Sequence, residues 1–342
     1  MAIPEKQLDL IRDELDNCRN PLFFYHDDPD GLCSFLLLYR YKQEGKGIVI
    51  KASSALDEKF LKKVEEYEPD RIFVLDLAEI SPEFLEGTKT PIVWIDHHSP
   101  RKAENVKYFN PRLDDPDDNQ AVSKICYDVV KQDLWIAAIG VVADWQYHDL
   151  VSEFSDKFPE ILSKKINTPE KAMFDSRLGK LIKIFSFLLK GKMSETYKCI
   201  KILTRIETPE ELLNGETSRS RFILKRYDSV NEEYQALLKR IKLTKPENGL
   251  LRFEYFQDKL SLTKDLSNET LYNNPDKVIL IGREKNDEIK MSLRASHLNL
   301  PSILSKALIN VQGSGGGHEH ACGVKVMKED YDLFISNIKK LI

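Results

Sequence analysis

The chain is poor in cysteine: Cys18, Cys33, Cys126, Cys199 and Cys322 are odd in number, scattered, and nowhere spaced as Cys-x-x-Cys. That pattern excludes a disulfide framework and a zinc ribbon, and a reducing, cytoplasmic setting is expected. Long hydrophobic runs are also missing. None approaches the roughly 20 residues that a membrane-spanning helix needs, and Met1 is not followed by a basic segment and an apolar core, so neither membrane insertion nor export is expected. An excess of positive charge is absent too. The net charge of -4 argues against a protein held on DNA by bulk charge, although cations bound at one site would reverse the local sign and leave nucleic acid open as a substrate.

What is present is an ordinary globular balance of 31% charged and 42% hydrophobic residues over 342 positions, a length that favours two domains over one core. Pro4 followed by Leu8, Leu10, Ile11 and Leu15 predicts a leading helix. Apolar runs at 21–24, 47–51, 71–75, 91–95 and 106–109 read as strands, and helical patterns lie between most of them. That alternation predicts a doubly wound parallel sheet with covered faces. Residues 119–148 read as two helices, the second apolar nearly all round and therefore buried. A Lys-rich helical stretch follows, and residues 217–241, without glycine or proline, predict one long helix. Lys245-Pro246-Glu247-Asn248-Gly249 reads as a linker into a smaller α/β unit. The expected division is therefore 1–215 for the first domain, 216–248 for a helical connector and 249–342 for the second domain.

The chemistry gathers where the strands end. Tyr25-His26-Asp27-Asp28-Pro29-Asp30-Gly31 joins the first strand to a helix, and strand-to-helix turns are where open α/β sheets keep their ligands. An isolated sequence of this kind is as readily an acidic, solvated turn. Its grammar recurs, however: the third strand ends in Asp76, the fourth in Asp96-His97-His98, and Asp144 closes the apolar helix. Carboxylates crowded at strand ends repel one another and resist desolvation, so burying them calls for a cation. His26, Asp28, Asp30, Asp76, His97 and Asp144 offer enough oxygen and imidazole donors for two divalent ions and no thiolate, a set that suits Mn2+ or Mg2+. Paired ions of this kind serve phosphoester hydrolysis. The acidic loop 114–118 lacks the glycine and closing glutamate of an EF-hand and reads as a solvated turn. A glycine cluster at 313–317, placed between a predicted helix and a predicted strand, reads as an anion-cradling nest with His318 at its rim. It lacks the Gly-Lys-Ser/Thr ending of a nucleoside-triphosphate loop.

The ordered pattern His26-x-Asp28-x-Asp30-Gly31, Asp76, Asp96-His97-His98 and Asp144 resembles the DHH phosphoesterase superfamily, and Arg294 with Gly315-Gly316-Gly317-His318 resembles its associated C-terminal domain. The glycine-histidine motif is similar to the branch of RecJ-type exonucleases and nanoRNases, and the compact chain to archaeal RecJ-like proteins. The resemblance implies a role for each position. His26 and Asp28 would hold one metal and Asp30, His97 and Asp144 a second, with Asp76 bridging. Asp96 would orient the neighbouring histidines, and His98 would meet the scissile phosphate. Arg294, His318 and the glycines would hold the substrate's phosphates from across a cleft. Asp27-Asp28-Pro29, Glu319-His320 and Cys322 depart from the usual pattern and leave substrate preference open.

The function expected from these features is a metal-dependent phosphodiesterase, with two divalent cations and Mn2+ foremost, that releases mononucleotides from an end of single-stranded DNA or short RNA. One alternative keeps the hydrolytic site and assigns a cyclic dinucleotide or a 3′-phosphorylated adenosine phosphate. Another, of a different class, is a replisome-associated scaffold that binds replication or repair proteins.

Overall fold

A computed structural model describes residues 3–51, 55–256 and 260–342. Its residues cluster into two compact units, the first comprising Met1–Leu189 and Tyr197–Leu224 and the second Lys190–Thr196 and Lys225–Ile342.

The first unit opens with α1 (Glu5–Asn17), whose buried stripe is Leu8, Ile11 and Leu15. β1 (Pro21–His26), α2 (Pro29–Lys42) and β2 (Lys46–Ile50) follow. Then come β3 (Ala55–Leu56), α3 (Leu61–Tyr67), β4 (Arg71–Leu75), β5 (Glu79–Ile80), α4 (Pro82–Gly87), β6 (Ile92–Ile95) and β7 (Val106–Phe109). The main sheet has the order β2-β1-β4-β6-β7 with every pairing parallel, and β3 pairs with β5 in a separate two-stranded sheet. This is the doubly wound order in which the chain winds one way from β1 and then the other, so ligands are favoured beyond the strand ends beside β1.

Alternation along the strands sends two sets of side chains to opposite faces. Phe23 stacks on Phe73 at 5.1 Å, and Tyr25 on Phe35 of α2 at 4.6 Å. Leu22, Phe24, Ile72, Val74 and Trp94 form the core of the other face with Val64 and Phe84. α5 (Val122–Val130) and α6 (Leu134–Ala143) pack on α2, and α6 is buried from Leu134 through Val142. The helices α7 (Asp149–Lys157), α8 (Pro169–Phe174), α9 (Arg177–Leu188), α10 (Met193–Leu203), α11 (Pro209–Asn214) and α12 (Ser218–Lys242) account for the rest of the helical middle. Thr168 and Thr208 cap α8 and α11, each just before a proline at the first helical position.

In the second unit, β8 (Leu250–Phe256), α13 (Thr263–Asn273), β9 (Val278–Lys285), β10 (Glu288–Arg294), α14 (Leu300–Ala307), β11 (Gly313–His318), β12 (Ala321–Met327) and α15 (Tyr331–Leu341) build a five-stranded sheet ordered β11-β12-β10-β9-β8. Only the β8–β9 pairing is parallel. One expectation is corrected here. Residues 313–318 form no nest: they are an exposed edge strand in antiparallel register with β12. In extended backbone, successive N–H groups point to opposite sides and cannot converge on one anion. Among the described residues, no helix is long and apolar enough to cross a membrane.

Candidate metal centre

Each acidic or imidazole side chain reaches the site by a local device of the fold. Asp28 caps α2, accepting from Gly31 N at 3.2 Å, while Pro29 occupies the first helical position. Gly31 sits where the start of α2 crosses the end of β1 so closely that a Cβ would lie 2.6 Å from His26 O. Asp76 leaves β4 with φ of 57°, a left-handed conformation that non-glycine residues hold only under constraint. Its N–H donates to Ile95 O at 3.0 Å. Asp144 is the C-cap of α6.

These devices bring the six predicted ligands together. His26, Asp28 and Asp76 form one group, Asp30, His97 and Asp144 a second, and Asp76, His97 and His98 a third, the donor atoms of each group lying within 4.8 Å of one another. Asp76 links the first two groups: Oδ2 is 3.4 Å from His26 Nδ1, and Oδ1 is 3.4 Å from His97 Nε2. Asp28 Oδ2 is 3.2 Å from His26 Nδ1, and Asp144 Oδ2 is 3.6 Å from His97 Nδ1.

Burial and like charge act together on these groups. Burial first, then the charges of Asp76 and Asp28, push the Asp30 carboxyl up to about 7, although His97 opposes the shift. Asp144 is raised well above the usual carboxylate range, again chiefly by burial. Burial alone would lower both histidines, but surrounding carboxylates outweigh it: Asp28 and Asp76 raise His26, and Asp76, Asp144 and Asp30 raise His97. The cluster is thus poised to take a proton or a cation, and one divalent ion relieves several of these repulsions at once. His26 Nδ1 is buried against the Asp28 and Asp76 carboxylates, 3.2 and 3.4 Å away. That nitrogen, together with carboxylates and no thiolate, fits a hard divalent ion.

The surrounding contacts set the orientation of the donors. Asp30 accepts from Val122 N at 2.9 Å and Ser123 N at 3.0 Å, so its carboxyl lies at the N-terminus of α5, whose dipole favours negative charge. Asp96, fully buried, accepts from His98 Nδ1 at 2.7 Å and from His98 N at 3.1 Å. It orients His98. His97 is held differently, its Nδ1 lying 2.9 Å from Asn119 O, which fixes the tautomer and leaves Nε2 as the nitrogen that could hold a cation. The sequence reading missed Asn119, and also Gln146, whose Nε2 donates to Asp144 Oδ2 at 2.8 Å. Neither residue carries a signal that sequence reasoning could have used.

The predicted substrate residues lie in the second unit. Arg294, at the end of β10, donates to Asn268 Oδ1 at 2.8 Å and to Leu293 O at 2.8 Å. Arg294 pairs across the sheet with Ala321, and Ala321 with His318, so the arginine and histidine occupy one rung and share a face. Gly315, Gly316 and Gly317 run along the edge strand beside them.

The parallel sheet gathers carboxylates and imidazoles beyond its carboxyl ends in the order that the DHH family pattern leads one to expect. A model of the DHH family, N-terminal domain, matches residues 22–152, and one of the DHHA1 domain matches residues 263–342. The chain belongs to the DHH superfamily. No curated protein matches it by sequence. The RecJ of Thermus thermophilus in complex with Mn2+ is similar in fold, with a TM-score of 0.72 at 14% identity over 99% of this chain and 55% of that one. The chain therefore spans little more than half the length of that protein. An exonuclease RecJ bound to manganese gives 0.65 at 13% identity over 99% of this chain and 94% of that one. A pGpG-specific phosphodiesterase from Vibrio cholerae gives 0.51 at 13% identity, covering 94% and 98% of the two chains.

Proposed function

We propose that the chain is a metal-dependent phosphodiesterase that removes mononucleotides from an end of single-stranded DNA or short RNA, using two divalent cations, Mn2+ foremost. The observation that carries this reading is the pair of donor groups joined through Asp76, His26-Asp28-Asp76 and Asp30-His97-Asp144. When bound there, such cations supply an activated water and offset the charge on the phosphoryl oxygens. The chain's own residues do the rest. Asp96 holds His98 through Nδ1, so Nε2 is the nitrogen that meets the phosphate, as proton donor to the leaving oxygen or as electrostatic support. Arg294 and His318, on one rung of the second unit, offer a guanidinium and an imidazole to a substrate phosphate.

The likeness in fold to a pGpG-specific phosphodiesterase supports a second reading, in which the substrate is a cyclic dinucleotide, its linear product, or a 3′-phosphorylated adenosine phosphate. One assay separates them: 5′- and 3′-labelled single-stranded DNA and five-nucleotide RNA are compared with those small substrates, all with Mn2+. Faster turnover of the oligonucleotides supports the first reading, and faster turnover of the small compounds the second. Asp76→Ala is expected to lower release by more than about 100-fold, beyond what loss of an outer partner of a metal ligand costs. Release of every substrate that is indifferent to Asp76→Ala would remove the metal centre from the chemistry.

A further inference from the structure

Gln146 lies two residues beyond Asp144, in a segment where Trp145 holds a φ of 59°, and its side chain is buried. Its side-chain hydrogen bonds converge around the predicted ligands. Nε2 donates to Asp144 Oδ2 at 2.8 Å and to Asn119 O at 2.7 Å. Oε1 accepts from Ala121 N at 2.9 Å and lies 2.7 Å from His148 Nε2. The backbone N–H of Ala121 can only donate, so it fixes which end of the amide is oxygen and aims both amide hydrogens at the other two acceptors.

Those two acceptors matter. Asp144 is one predicted ligand, and the Asn119 carbonyl is the group that holds His97 Nδ1 at 2.9 Å. One amide thus grips an oxygen of one ligand and the backbone oxygen that orients another. A neutral donor suits this place, because a second carboxylate would add repulsion to an already crowded cluster and a lysine would compete with the cation. Resting on the metal-centre reading given above, we infer that Gln146 is a positioning residue, which sets the geometry of Asp144 and, through Asn119 O, of His97 for binding a divalent cation.

The test is Mn2+ binding by isothermal titration to the intact chain, alongside its melting temperature in chelator. Gln146→Met removes the donor without adding charge and is the variant that reads the inference, at the loss of the oxygen that faces Ala121 N–H and His148. Gln146→Glu keeps that oxygen but sets a second carboxylate against Asp144, whose repulsion lowers the metal-free melting temperature as well. Gln146→Met is expected to weaken Mn2+ by about 10- to 100-fold, the range for outer partners of metal ligands, a larger loss than its change in metal-free melting temperature accounts for. Binding within twofold of wild type, or tighter, would overturn the inference. Weakened binding that merely tracks a fall in metal-free melting temperature across both variants would overturn it too, assigning Gln146 to loop stability. A wild-type chain that takes up no Mn2+ is a different result: it removes the metal-centre reading itself.

Discussion

Gly31→Ala sets two known effects against each other at the turn that carries three predicted ligands. In a helix interior, alanine is favoured over glycine by about 1 kcal/mol, so propensity alone predicts a more stable protein. The structure predicts the reverse. A Cβ at position 31 would lie 2.6 Å from His26 O, 2.8 Å from His26 N and 3.0 Å from His26 Cβ. The two shortest of these approaches are to backbone, which cannot yield by a change of rotamer, so the start of α2 or the end of β1 must shift. Overpacking of this kind costs about 1–3 kcal/mol. The shift also strains the cap in which Gly31 N donates to Asp28, and a lost cap costs about 1 kcal/mol. The net expectation is a loss of about 1–3 kcal/mol, read from urea unfolding in chelator. His26, Asp28 and Asp30 ride on the displaced segment, so Mn2+ affinity should fall at least about tenfold in a parallel titration. A variant as stable as wild type with unchanged Mn2+ affinity would refute the steric reasoning and return the decision to propensity.

Two further expectations concern the frame around the site. Arg40 of α2 makes a two-pronged pair with Asp133, at 2.7 and 2.8 Å, and also donates to Thr204 O and Ile206 O. Arg40→Leu leaves the largely buried Asp133 charge uncompensated and should cost about 3–5 kcal/mol; denaturant unfolding giving under about 1 kcal/mol would show that water reaches the pair. Burial would raise the Glu211 carboxyl, but Arg219, Thr217 and the Glu207 N–H outweigh it and lower its pKa. A lowered folded value contributes stability above the unfolded value and loses it as pH falls through the folded one. Glu211→Gln should therefore cost about 1.5–3 kcal/mol at pH 7 and progressively less as the pH falls below the ordinary carboxylate range, and a cost that does not change with pH would refute the assignment.

Much of the first unit was legible because β1, β4 and β6 are buried almost throughout and so appear as nearly unbroken apolar runs, each stopped by an acid or histidine. The all-round apolar α6 and the long α12 were equally plain, since neither contains a proline or a run of turn residues. β11 was not legible. Gly313-Ser314-Gly315-Gly316-Gly317 has no β-branched or aromatic side chain, and it becomes a strand only because β12 supplies the partner. Gly313, Gly315 and Gly317 answer a steric demand that Gly316 does not: at Gly315 a Cβ would lie 2.7 Å from Gly323 O and 2.9 Å from Leu304 Cδ2. Composition alone cannot tell crowding of this kind from the freedom of a loop.

The ligands themselves could be read because carboxylates and imidazoles announce their chemistry by residue type. Their support could not, because it comes largely from the backbone of one short segment with no charged side chain. Asn119 offers its carbonyl to His97, Ala121 its N–H to Gln146, and Val122 and Ser123 their N–H groups to the two oxygens of Asp30. Through Gln146 the same segment also steadies Asp144. The three members of the second donor group, drawn from α2, the end of β6 and the end of α6, are therefore aligned by one entry into α5. A substitution that bends this entry, at positions that hold no ligand, should disturb Asp30, His97 and Asp144 together while leaving the His26 side of the centre to its own turn.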